Sequence, residues 1–130
     1  MARFAVIDFE TSGLAPDAGD RALEIAAVIV EDGAIVDSWQ SLMNPGIRVP
    51  HFITQLTGIS PIMVRMAPPP AEVMAAAARF VGDATVVAHN ASFDRKFWQL
   101  ELGQISTPCD HDFLCTLLLS RRLYPWSLNH

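Results

Sequence analysis

Residues 3–13, Arg-Phe-Ala-Val-Ile-Asp-Phe-Glu-Thr-Ser-Gly, constrain this chain more than any other stretch. The start of this run is apolar and β-prone, so it reads as a strand. Side chains alternate between strand faces, which puts Phe4, Val6, Asp8 and Glu10 on one face and Ala5, Ile7 and Phe9 on the other. Apolar residues on both faces predict a central strand covered on both sides. Two acids then stand side by side where the strand runs out into a Gly-containing turn. Carboxylates about 4 Å apart repel by roughly 4 kcal/mol at an effective dielectric near 20, and burial adds to that. Asp8 and Glu10 therefore call for positive charge between them, and two oxygens on one rigid strand suit a hard divalent ion such as Mg²⁺ or Mn²⁺. The bland alternative is that they are ordinary acids on an exposed strand end, since D-x-E is a short pattern.

The length predicts one domain, and the 51% hydrophobic share supplies a core. Nine basic against fourteen acidic residues give a net charge of −5. That balance argues against a passive, electrostatically driven nucleic-acid binder and leaves room for an enzyme that brings a phosphodiester to bound cations. Cys109 and Cys115 are too few and wrongly spaced for a zinc site or a disulfide framework, which fits reduced thiols in the cytoplasm. No apolar leader precedes Asp8, and no uncharged stretch reaches transmembrane length without Pro and Gly breaks, so no membrane partner is expected.

Along the chain, Leu14 to Asp20 is a turn rich in Gly, Pro and Asp. Arg21 to Val30 is a second apolar strand, Asp32-Gly33 a two-residue hairpin signal, and Ala34 to Leu42 a third strand. The three form an antiparallel meander. Glu24, an acid in the second strand, reads as structural, paired with Arg21 or capping nearby backbone, and stays outside the site. His51 to Leu56 is a short helix closed by Gly58, Ser60-Pro61 starts another, and Pro70 to Val81 has a helical period. Thr85 to His89 is a short buried strand. Asn90 caps the next helix, whose inner face is Phe93, Phe97 and Leu100. A strand reached through a helical crossover predicts parallel pairing with the first strand. Asp112 to Cys115 is a fifth strand, and Thr116 to Leu123 a helix. Asp94 lies in the first turn after the fourth strand, and ligands of open α/β sheets gather beyond strand carboxyl ends. If that strand lies beside the first, Asp94 joins Asp8 and Glu10; taken alone, it is also an ordinary helix-dipole acid.

Val6 to Leu14 (VIDFETSGL) resembles the first motif of the DEDD exonucleases, and within them the proofreading epsilon subunit of bacterial DNA polymerase III. Val87 to Asp94 (VAHNASFD) resembles the second motif. Arg21 to Val28, Asn44-Pro45, Leu56 to Ile59 and Cys115 to Pro125 are similar to the same family in order, so nearly the whole chain is covered. The resemblance implies an α/β ribonuclease H-like fold with a five-stranded mixed sheet, a meander plus parallel strands flanked by helices. It implies 3′→5′ hydrolysis at single-stranded DNA or RNA 3′ ends by two divalent ions, Mg²⁺ or Mn²⁺, in a cytoplasmic protein that partners a polymerase subunit. Asp8 would bridge both metals, Glu10 would hold the ion that activates water, and Asp94 would help hold the second. Thr11, Leu56, Thr57, Asn90 and Phe93 match positions that line the terminal nucleotide, with core or capping roles as the alternative for each.

The family's third motif, a His general base with a carboxylate five residues later, has no match. His89 and Asp94 have that offset but belong to the second motif, and nothing acidic follows Tyr124. The expectation is a single exonuclease-like domain over 1–130 with its C-terminal part missing, weak or inactive as a nuclease. The competing readings are a non-catalytic module of this fold that binds metal or nucleic acid, and a different metal-dependent phosphoesterase on the same scaffold.

Overall fold

The computed structural model describes residues 2–130. Strand β1 (Arg3–Thr11) is central, as the alternation predicts. It pairs antiparallel with β2 (Ala22–Glu31), which pairs antiparallel with β3 (Ala34–Leu42). On its other edge β1 pairs in parallel with β4 (Thr85–Ala88), and β4 with β5 (Phe113–Cys115), giving the order β3-β2-β1-β4-β5. Between β3 and β4 come α1 (His51–Thr57), α2 (Pro61–Arg65) and α3 (Pro70–Val81); α4 (Ala91–Gln104) follows β4, and α5 (Thr116–Leu123) follows β5.

Local chemistry accounts for these boundaries. The β2–β3 hairpin turns on Asp32 and Gly33, both at positive φ (50° and 80°), the geometry a two-residue turn needs to match strand twist. Gly58 ends α1 in the left-handed region, and its N–H donates to the Thr54 carbonyl at 2.8 Å. Ser60 Oγ accepts from the Met63 N–H at the start of α2.

The main core lies under one face of the sheet. Ala5, Ile7 and Phe9 of β1 and Ile25, Ala27 and Ile29 of β2 pack against α3 and against Phe97, Trp98 and Leu102 of α4. A second core of Leu23, Val49, Ile53, Ile59 and Val64 ties α1 and α2 to the end of β2. The expectation that β1 is covered on both faces is corrected. Val6 remains 39% exposed, and the face it shares with Asp8 and Glu10 is open. Only Phe4 and Val6 offer apolar surface there, and the face ends in two acids that water or ions solvate better than a packed helix.

The inner face of α4 is corrected too. The buried side chains are Asp94, Phe97, Trp98, Glu101 and Leu102, while Phe93 and Leu100 are half-buried. A pattern of apolar residues alone misses this face because two of its members are acids with partners of their own. Asn90 precedes α4, yet its side chain does not cap it. Its backbone is left-handed (φ 64°, ψ 61°) rather than extended, and the Ala91 N–H donates instead to Cys115 Sγ at 3.3 Å.

Among the described residues no helix is long and apolar enough to cross a membrane.

Candidate active site

Asp8 and Glu10 are carried on the open face at the carboxyl end of β1. Asp8 is exposed and Glu10 half-buried. The register of β1 with β2 shifts between Glu10 and Thr11: Glu10 faces Glu24, Thr11 faces Ala22, and Leu23 is the extra residue. Such a bulge re-aims side chains at a strand end, and here it frees Leu23 to join the second core. Glu24 stands directly across from Glu10, the last pair of the regular register before the bulge. The expected pairing of Glu24 with Arg21 does not form; Gln40 Nε2 donates to Glu24 Oε2 at 3.0 Å. Like charges directly opposite on paired strands destabilise a sheet. Burial first, and then the charge of Glu24, raise the Asp8 carboxyl above its ordinary range. Burial, then Asp8 and Glu24, raise that of Glu10.

Asp94 arrives from the first turn of α4 and is 3% exposed. Parallel pairing of β1 with β4 stops at Val6 and Val87, so β1 runs on past its partner. The Phe9 N–H on this stretch donates to Asp94 Oδ1 at 3.2 Å, which satisfies a buried backbone donor. Burial pushes the Asp94 carboxyl up to about 7; the Phe9 N–H opposes this, and the charges of Asp8 and Glu10 add to it. Asp94 thus senses the charges of Asp8 and Glu10 across the β1–α4 junction. Asp94 is held in place by a clamp seven residues along the same helix face. Arg21 Nε and Nη2 donate to Glu101 Oε2 and Oε1 at 2.9 and 2.8 Å, and the Ala22 N–H donates to Oε2 at 3.2 Å. Glu101 is fully buried, so the two-pronged, charge-assisted contact ties α4 to the start of β2.

Beside Glu10 opens a groove of about 700 Å³, lined by Thr11, Phe52, Leu56, Thr57 and Phe93 among others. Thr11 Oγ1 donates to the Gly13 carbonyl at 2.6 Å. Thr57 Oγ1 donates to the Ile53 carbonyl at 2.7 Å and accepts from the Ile59 N–H at 3.1 Å. Both threonines thus shape the walls as well as line them. Gly13 is required by its neighbour, because a Cβ there would overlap the Asp20 carboxylate, which the Ser12 hydroxyl and the Ala15 N–H hold at 3.0 Å each. Phe93 packs on Phe97 with ring centroids 5.0 Å apart. Of the eight residues singled out in the sequence, Asn90 alone is neither a carboxylate nor a lining residue of the groove; its side-chain oxygen accepts from Ser92 Oγ.

Two residues escaped the sequence reading. Glu24 needed the strand register, which no turn motif between β1 and β2 specifies. Phe52 had a usable signal: it stands four residues before Leu56, so the two share one face of α1, 59% and 78% exposed.

The donor set fits a hard divalent cation by its chemistry, being carboxylate oxygens whose ionised forms are mutually unfavourable without positive charge. It is not a ready-made cage. Among the described residues no group of three or more His, Cys, Asp or Glu side chains is placed to hold a metal ion. That suits an ion of the Mg²⁺ type, which is held by one or two carboxylates and completes its shell with water and substrate phosphate.

A family model described as exonuclease, of the RNase T type, matches residues 5–129. The 3′-5′ exonuclease DinG of Bacillus subtilis (strain 168) is 40% identical over 124 residues, covering 95% of this chain and 13% of that protein. The DNA polymerase III subunit epsilon-like protein of Rhodobacter capsulatus is 38% identical over 129 residues, covering 98% of this chain and 18% of that protein. Among solved structures, exonuclease X in complex with 5′ overhanging duplex DNA aligns with a TM-score of 0.74 at 32% identity, over 95% of this chain and 65% of that one. The five-stranded mixed sheet is ribonuclease H-like, as the motifs led us to expect. The chain spans between 8% and 18% of the length of the first curated relatives it matches.

Proposed function

The chain belongs to the exonuclease family, and from that premise we propose that it removes nucleotides from the 3′ end of single-stranded nucleic acid with divalent metal ions. The observation that supports this reading is the buried Asp94 carboxyl accepting from the backbone N–H of Phe9, between Asp8 and Glu10, beside an apolar groove that Glu10 lines. Asp8, Glu10 and Asp94 would hold the ions, Mg²⁺ or Mn²⁺. Bound there, the ions supply the positive charge that stabilises the attacking and leaving oxygens of phosphodiester hydrolysis. The groove takes the terminal nucleotide: Thr11 and Thr57 line its polar side, while Phe93, Leu56 and Phe52 offer apolar and aromatic surface to a base. Stacking on such surface is tolerant of sequence, which fits an enzyme acting on any 3′ end. Asn90 is proposed to act at the β4–α4 junction, where its left-handed backbone turns the chain into the helix that carries Asp94. Work beside a DNA polymerase III is part of the same reading, supported by the epsilon-like relative.

Two measurements test it. Incubated with Mn²⁺, a single strand labelled at its 5′ end is expected to shorten stepwise from the other end, releasing nucleoside 5′-monophosphates. Release of the labelled nucleotide first would mean the opposite polarity and would overturn the reading. Without any substrate, Mn²⁺ at ten times its dissociation constant is expected to stabilise the fold by about 1.4 kcal/mol, seen as a rise in melting temperature. Asp8→Asn is expected to remove that rise. Equal rises in both proteins would show that the metal binds elsewhere.

A further inference from the structure

We infer that α1 carries a second contact to the strand on its far side, where a cavity of about 480 Å³ between Arg48 and Arg65 takes a backbone phosphate. The inference rests on the single-strand reading above and extends it to residues that neither the motifs nor the groove include.

The cavity is lined by Arg48, Arg65, His51, Thr54 and Asn44 with apolar residues between them, and no Asp or Glu lines it. That is unusual in a chain with fourteen acids and nine bases. Among the described residues the ion pairs are Arg3–Glu31 and Arg21–Glu101; Arg48 and Arg65 make neither an ion pair nor a hydrogen bond. The remaining polar groups are also free to donate. Thr54 Oγ1 is buried with no hydrogen-bond partner, and the Asn44 side-chain oxygen already accepts from the Gly46 N–H, which leaves its amide hydrogens. A cavity with two arginines and no carboxylate in its lining matches the oxygens of a phosphate and repels a cation.

Its place in the fold selects the source of that phosphate. Helix α1 is the wall between the two cavities: His51 and Thr54 line this one, while Phe52 and Leu56 line the groove beside Glu10. A helix with its side chains is about 10 Å across. A strand whose 3′ end lies in the groove therefore reaches the arginines by crossing one helix.

The test is fluorescence anisotropy with a labelled single strand of about 12 nucleotides, titrated at several salt concentrations with Ca²⁺ in place of Mn²⁺, the strand being checked for integrity. Each phosphate neutralised on a single strand contributes about 0.7 to the slope of log affinity against log salt. The Arg48→Ala/Arg65→Ala protein is expected to lose about 0.7 from that slope and about tenfold in affinity. Lys at both positions is expected to keep the slope, and Arg79→Ala, exposed on α3 away from the cavity, to leave slope and affinity unchanged. Both arginines are exposed, so melting curves of the variants are expected to match the wild type. If the wild type binds the strand and the double variant binds with the same slope, the phosphate contact is overturned while the exonuclease reading stands. If the wild type does not bind the strand at all, the two fall together. If millimolar inorganic phosphate raises the melting temperature of the wild type but not of the double variant, and the slopes agree, the cavity is a free-anion site and the strand contact is overturned.

Discussion

Asp94→Asn is expected to stabilise the metal-free protein at pH 8 and to leave its stability unchanged at pH 4. The folded protein holds Asp94 at a pKa of about 7, against 3.8 for the free side chain. Below pH 3.8 the carboxyl is protonated in both folded and unfolded chains, and it imposes no penalty. Between 3.8 and about 7 only the unfolded chain releases the proton, so the folded state loses stability as pH rises. Above about 7 the penalty is complete. A pKa unit is worth about 1.4 kcal/mol, so the full effect is of the order of a few kcal/mol. Asn removes the charge and keeps an oxygen to accept the Phe9 N–H, whereas Ala orphans that buried donor at a cost of about 1–3 kcal/mol. The order of melting temperatures at pH 8 is therefore expected to be Asn above wild type, with Ala below Asn. For a chain of this size about 2 kcal/mol corresponds to a rise of roughly 6–10 °C. Saturating Mn²⁺ is expected to reverse the first inequality, because the ion stabilises only the ionised wild type. An equal gain from Asn at pH 4 and pH 8 would show that packing, not ionisation, separates the two proteins.

What the sequence made legible follows from how far apart the interacting residues lie. The β1 alternation, the Asp32-Gly33 turn and the Gly58 and Ser60 helix ends are local patterns, and each appears where its chemistry puts it. The neighbourhood of Asp94 and β1 was readable because a crossover between parallel strands fixes which strand ends lie together. The Arg21–Glu101 clamp joins residues 80 apart, and Glu101 reads as an exposed helix acid until α4 is docked. The position of Glu24 across from Glu10 is set by the β1–β2 register, unbroken from Arg3–Glu31, and a slip of one residue would turn it to the other face. Asn90 has the residue type of a helix cap, yet the tight exit from β4 forces it into a backbone conformation from which its side chain does not cap. Phe52 is the instructive case: its i, i+4 pairing with Leu56 was present in the sequence, but an apolar pair on a short helix reads as core until its exposure is known.

Turnover by these 130 residues is expected to be at least ~10³-fold slower than by a version extended through a helix that carries a His with an acid five residues later. Among the described residues no histidine is hydrogen-bonded to Asp8, Glu10 or Asp94. His89, which has the motif's offset to Asp94, has its Nδ1 2.9 Å from Thr116 Oγ1. Nε2 of His111 is 2.8 Å from the Gly82 carbonyl, at the opposite end of β4. Nδ1 of His130 is 2.8 Å from Ser120 Oγ, and His51 lines the arginine cavity on the far side of α1. A positioned general base contributes about 10²–10⁴-fold. In the extended version Asp8→Ala, Glu10→Ala and Asp94→Ala are each expected to abolish most turnover, since each removes an oxygen from ions that act as a unit. Glu24→Gln is expected to have the smallest effect of the four, because Glu24 acts on the charge balance from the neighbouring strand. The measurement is a time course on a single strand with Mn²⁺, both versions at equal concentration and shown to be folded. Equal rates would mean that a residue already present supplies the base, with His89 the first to substitute. A metal-bound, strand-binding short form with no turnover would instead identify these 130 residues as a binding module of the same fold.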